Sequence, residues 1–292
     1  MSLKLKKIIL VQLCFLNVIY FMPAFSNDFS PSDALNRPSS SLAASSGAGA
    51  SAPGDASMMD ANPAILPALK RQYTLSGGMA WSSKIDSFEV VAFDSTLPPF
   101  AMAIRVRETI PNGTSRDRSI KAGLGYKLPN VNNLSLGLSF DYQQLNLTEL
   151  WKWNDNNYRV GLGAFYQINL NLDSPIFLGL STNGLFDKYN AKTFDFGVSA
   201  FLMDQSVNLS SDILFDTENG LQSFVGGLTL ITKVFLEVKG SVGYNPKFSR
   251  FFWGSGLFLK SPVLHVYYTL VKNDSNDTTL KQTAGIEFAL SL

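Results

Sequence analysis

Cysteine and histidine each occur once in the 292 residues. A single histidine excludes a two-histidine metal motif, and a single cysteine excludes a cysteine-cluster zinc site or an internal disulfide. Charge is scarce as well: 16% of residues are charged, with a formal net of +1, against roughly 25% charged in soluble domains. Without a basic excess, a nucleic-acid partner is not expected. Beyond the first 26 residues no apolar run approaches the ~20 residues that a spanning helix needs. The longest, Val263 to Val271, is interrupted by His265, Tyr267, Tyr268 and Thr269. What the chain does have is 46% hydrophobic residues, 12% aromatics and 22 glycines.

Residues 1–26 read as an export signal. Lys4, Lys6 and Lys7 precede a mostly apolar stretch from Ile8 to Phe21, and Pro23-Ala24-Phe25-Ser26 places small residues at the −3 and −1 positions of a cut before Asn27. Cleavage would leave 21 basic residues against 23 acidic ones, a net of −2, and remove Cys14. Residues 27–72 are rich in Ser, Ala, Gly and Pro and lack the bulky side chains for a core of their own.

From Tyr73 to the last residue the pattern has period two. Leu134, Leu136, Leu138, Phe140 and Tyr142 alternate with Ser135, Gly137, Ser139, Asp141 and Gln143. Tyr158, Val160, Leu162, Ala164 and Tyr166 alternate with Arg159, Gly161, Gly163, Phe165 and Gln167 in the same way. Fourteen strands are expected, near 73–83, 87–94, 100–107, 118–127, 133–146, 157–170, 175–182, 193–203, 206–215, 221–231, 233–244, 247–259, 263–272 and 281–292. Connections after even-numbered strands read as short, down to Asp173-Ser174 and Ser261-Pro262, whereas several after odd-numbered strands are longer and polar. An even strand count with short turns at one end and longer loops at the other is the habit of bacterial outer-membrane barrels. The less apolar face is mainly Gly, Ser, Asn and Gln, and Tyr73, Trp81, Tyr126, Tyr142 and Tyr158 stand at strand ends on the other face, as interfacial aromatic girdles require. The expected fold is therefore an all-β transmembrane antiparallel barrel of about 14 strands spanning residues 73–292, in the outer membrane and facing its lipid. The final strand keeps phase through Ala284, Ile286, Phe288, Leu290 and Leu292, and resembles the C-terminal signal that such barrels present to the barrel-insertion machinery.

Asp55-Ala56-Ser57 and Asn62-Pro63-Ala64, placed between the small-residue tract and the first strand, resemble the N-terminal region of the FadL-like outer-membrane transport proteins, a superfamily that includes the PorV group. Ile65 stands where members usually carry glycine. The resemblance implies that residues 27–72 form a hatch inside the barrel and that small hydrophobic compounds, long-chain fatty acids or aromatics, diffuse past it. A non-transporting barrel acting as a scaffold or shuttle for exported proteins is the alternative expectation.

An apolar outer face leaves Arg105, Arg107, Lys121, Arg159, Lys239, Glu89, Asp141, Asp195, Asp212, Glu237 and Glu287 on the inner one. Lys121, Asp141 and Arg159 fall on three consecutive strands and are expected to form a lateral charge ladder. Trp151 and Trp153, in the connection after the fifth strand, are candidates for capturing an apolar ligand. No Gly-x-Ser-x-Gly element occurs and His265 is the sole imidazole, so neither an enzyme nor a metal or cofactor site is expected.

Overall fold

A computed structural model describes residues 49–52, 54–81, 85–111, 117–131, 133–145, 155–169, 174–188, 191–203, 205–218, 220–232, 235–246, 249–272 and 280–291. The expected leader, residues 27–48 of the expected hatch and the loop candidates Trp151 and Trp153 lie outside the described residues.

Fourteen strands form one closed antiparallel barrel. They are β1 (Gln72–Trp81), β2 (Ile85–Asp94), β3 (Phe100–Pro111), β4 (Asp117–Lys127), β5 (Leu134–Leu145), β6 (Asp155–Ile168) and β7 (Ile176–Leu185), followed by β8 (Thr193–Leu202), β9 (Val207–Asp216), β10 (Gly220–Ile231), β11 (Leu236–Asn245), β12 (Arg250–Lys260), β13 (Leu264–Lys272) and β14 (Leu280–Ser291). Each pairs with its sequence neighbours, and β1 closes on β14 with Tyr73 opposite Leu290 and Trp81 opposite Gln282. Closure gives every strand two partners, which hydrocarbon demands because it satisfies no exposed backbone group.

The alternation read from the sequence is the alternation of the wall. On β5, Leu138 is 49% exposed while its neighbour Ser139 is 1% exposed. The outer face pairs apolar with apolar across strands, as in the row Leu124, Leu138 and Leu162. Aromatics collect at both rims: Phe100 and Tyr126 lie 4.8 Å apart at one end, and Tyr142 and Tyr158 5.2 Å apart at the other. An arginine replacing Leu138, midway along β5, is expected to cost about 2–4 kcal/mol. Urea unfolding in lipid vesicles would measure it, with Ser139→Ala on the inner face as the contrast.

One sequence reading needs correction. The connection between β6 and β7 is not a two-residue turn, because β6 ends at Ile168 and β7 begins at Ile176. The alternation of β6 continues in the sequence through Leu170 and Leu172, which is why the strand reads as longer; residues 170–173 lie outside the described residues. The contrast between short and long connections is accordingly weaker than the sequence suggests.

Candidate lumen plug and its seat

Residues 49–52 and 54–67 pack against the inner wall of the barrel. Two short 3-10 helices organise them, η1 (Ala56–Asp60) and η2 (Pro63–Ala68). Asp55 caps the first, its carboxylate accepting from the Ser57 amide at 2.9 Å. Asn62 caps the second by accepting from the Ala64 amide at 3.0 Å, with Pro63 in the first turn, where a missing N–H costs nothing. Pro67 inside η2 supplies no donor, and the chain turns extended at Leu69.

The Asn-Pro-Ala element thus has a structural reason for each residue. Asn62 is fully buried, and beyond its cap its side-chain amide donates to the Ala50 carbonyl at 2.8 Å and to the Ala164 carbonyl of β6 at 3.0 Å. It ties the two halves of the plug together and both to the wall. Replacement by alanine removes a cap and strands two carbonyls, a loss of about 2 kcal/mol in plug docking. Faster hydrogen exchange at the Ala64 amide is the expected readout, with the strand amides of β5 unchanged.

Glycines of the wall form the seat. Gly125, Gly137 and Gly163 stand side by side on β4, β5 and β6, and Gly179 faces Gly197 across β7 and β8. A Cβ at Gly125 would run into Pro67, at Gly137 into the backbone of Pro63 and Ala64, at Gly163 into the Asn62 amide and at Gly179 into the Ala50 carbonyl. The wall is bare where the plug backbone touches it. The sequence shows these glycines as part of a small, polar face, but only the cross-strand register assembles them into rows.

Apolar contacts flank this seat. Met58, Ala64 and Ile65 pack with Phe165 and Phe177, whose rings stack at 5.4 Å, while Met59 and Leu66 pack with Val91, Phe93, Ala101 and Ala103. Met58, Met59, Ile65 and Leu66 are all buried, each contributing about 1.5–3 kcal/mol as an upper figure. Ile65, the departure from the family pattern, thereby fills an apolar gap. A signal was present: Phe165 sits out of character among Arg159, Gly161, Gly163 and Gln167 on the inward face.

Charge fixes the other side of the plug. Asp60 ion-pairs with Arg105, lies 3.4 Å from Lys121 Nζ and 3.8 Å from Arg107, and Arg107 also holds Glu89 at 2.8 Å. Burial opposes ionisation of Asp60, yet Arg105, Lys121 and Arg107 together hold its carboxyl well below the usual carboxylate range. The expected ladder is in register, with Lys121 opposite Asp141 and Asp141 opposite Arg159. Arg159 ion-pairs with Asp141 and lies 4.0 Å from Asp187, but the ion pair of Lys121 is with the plug, not with Asp141. Asp60 displaces that contact because it descends into the lumen from a segment that strand periodicity does not cover. Elsewhere on the inner face Glu237 is held by Lys239 at 3.2 Å and by Lys260, and His265 Nδ1 lies 2.6 Å from Glu287.

A third set of contacts anchors the start of the plug. The amides of Gly49 and Ala50 donate to one carboxylate oxygen of Asp212 at 2.6 and 2.7 Å. Ser199 donates to the Ser51 carbonyl at 2.8 Å, and Ser181 to the Ala61 carbonyl at 2.6 Å. Outside the barrel, a depression of about 530 Å³ opens where Ala92 is shorter than its neighbours Leu75, Met102, Ile104 and Phe288. It lies on the lipid-facing wall, away from the plug. No group of three His, Cys, Asp or Glu side chains gathers among the described residues.

Neither a protein-family model nor a curated protein matches the sequence. Among solved structures, the CymD monoaromatic hydrocarbon channel is similar with a TM-score of 0.61 at 14% identity, over 86% of this chain and 96% of that one. The fold is that of an outer-membrane channel barrel. Omp33 of Acinetobacter baumannii matches at a TM-score of 0.49 and 14% identity over 76% of this chain and 99% of its own. The KdgM porin matches at 0.44 and 9% over 74% and 99%. The last two likenesses are too distant to carry an argument.

Proposed function

We propose that the protein is an outer-membrane channel of the FadL-like type, through which small hydrophobic compounds diffuse past a seated N-terminal plug. The observation that carries this reading is the nature of the obstruction. A water-filled porin lumen is polar, whereas here a segment with buried Met58, Met59, Ile65 and Leu66 lies against inward Phe93, Phe165 and Phe177. Such an interior disfavours hydrated ions and offers an apolar solute contacts in place of water. The barrel shares its fold with a monoaromatic hydrocarbon channel; since one fold hosts many functions, the substrate class rests on the apolar contacts of the interior.

Transport is tested by adding a radiolabelled monoaromatic hydrocarbon or a long-chain fatty acid to proteoliposomes containing the purified protein and a trapping enzyme. Uptake several-fold above protein-free vesicles is expected for at least one of the two. Uptake equal to that of empty vesicles for both would remove transport and leave a non-transporting scaffold for exported proteins as the better account.

A further inference from the structure

The inner wall pairs its acids with bases, Glu89 with Arg107, Asp141 with Arg159, Glu237 with Lys239 and Glu287 with His265. Asp195 on β8 and Asp212 on β9 depart from this rule. Both face the lumen and are buried, at 8% and 2% exposure, and among the described residues no lysine, arginine or histidine forms an ion pair with either. They are near neighbours by register, since Asp212 stands opposite Gly197, two residues along β8 from Asp195. One oxygen of Asp212 receives the Gly49 and Ala50 amides. The other, and Oδ1 of Asp195, have no hydrogen-bond partner.

A third oxygen belongs to the plug. Ser51 is fully buried, and its hydroxyl has no partner, although its carbonyl is satisfied by Ser199. The hydroxyl lies 2.9 Å from the point where a Cβ on Gly197 would stand, and the unpartnered oxygen of Asp212 borders the same point. The bare Gly197 lets the plug close on the wall, so that the unpartnered Asp212 oxygen and the Ser51 hydroxyl converge on that one point. Two buried carboxylates without a base are costly unless something positive joins them. Ligands that are all oxygen select hard cations, and calcium accepts such a set with water completing its six to eight positions.

We propose that Asp195, Asp212 and Ser51 bind one divalent cation of the calcium class, clamping residues 49–51 to the β8–β9 wall. Histidine and cysteine spacing carries no trace of this site, because its ligands are oxygens. These three oxygens are distant in the chain and meet only when the plug is seated.

Equilibrium dialysis with radioactive calcium, on the full protein in detergent free of lipopolysaccharide, tests this. One calcium per chain is expected, with binding lost in Asp195→Asn and in Asp212→Asn, and weakened several-fold in Ser51→Ala. Heat-modifiable gel migration checks that each variant is folded. No bound calcium, or binding undiminished in both carboxylate variants, would overturn the proposal. A second measurement needs no variant: calcium should slow hydrogen exchange at the Gly49 and Ala50 amides relative to EDTA. Equal rates, or an infrared band of a protonated carboxylic acid that calcium does not remove, would show that a shared proton neutralises the pair instead.

Discussion

Replacing Gly179 by valine is expected to make the barrel leaky to small sugars while leaving it folded. Any Cβ at this position overlaps the Ala50 carbonyl, a backbone atom with no freedom to rotate away. The plug segment around Ala50 must therefore leave the wall. With it go the bonds from Gly49 and Ala50 to Asp212, from Ser199 to Ser51 and from Asn62 to Ala50. The barrel itself loses nothing, because valine suits a strand and its side chain enters the lumen. Swelling of proteoliposomes in an isotonic sugar should rise several-fold over the unsubstituted protein. Valine at Gly77 or Gly240, which have nothing within 4 Å of an added Cβ, should leave permeability unchanged. A folded Gly179→Val barrel with unchanged permeability would mean that residues 49–51 do not obstruct the lumen.

Neutralising Asp60 should have the largest effect on stability. Arg105 and Lys121 are buried, and Asp60 is the acid that forms ion pairs with both. Asp60→Asn takes the ion-pair partner from both buried cations, a cost of about 3–5 kcal/mol, measurable as a lowered urea midpoint in detergent. Converting Lys121 to methionine as well should recover part of the loss, since the cost lies in stranded charge and not in a missing contact. The pH dependence follows the depressed carboxyl of Asp60. Its contribution is fully present above the unperturbed value of 3.8 and is lost only as pH falls through a folded value well below that. The native protein should accordingly keep this part of its stability at pH 4, and Asp60→Asn should be less stable than the native protein at pH 7 and at pH 4 alike.

The barrel was legible in the sequence because lipid imposes a rule on every second residue. Leu134 to Tyr142 and Tyr158 to Tyr166 can be assigned to a face without knowing any partner, and β14 stays in phase to Leu290. Cross-strand register was also partly readable, since Lys121, Asp141 and Arg159 do lie side by side. What escaped is what joins segments of different character. Nothing periodic links Asp60 to Arg105, or Gly49 to Asp212, because 3-10 turns and extended plug backbone carry no repeating pattern of burial. The resemblance at Asn62-Pro63-Ala64 pointed to a hatch, but not to the carbonyls Asn62 would reach. The glycine rows were visible as composition and became a seat only in three dimensions.

The obstruction itself is exposed most directly by single-channel recording in planar lipid bilayers, comparing the protein with a form lacking residues 49–71. A lumen occupied by this segment predicts small or absent current for the complete protein and large, steady, ohmic steps for the shortened one, as expected of a wide water-filled barrel. Equal currents from the two forms would contradict the account, because the segment would then not stand in the path.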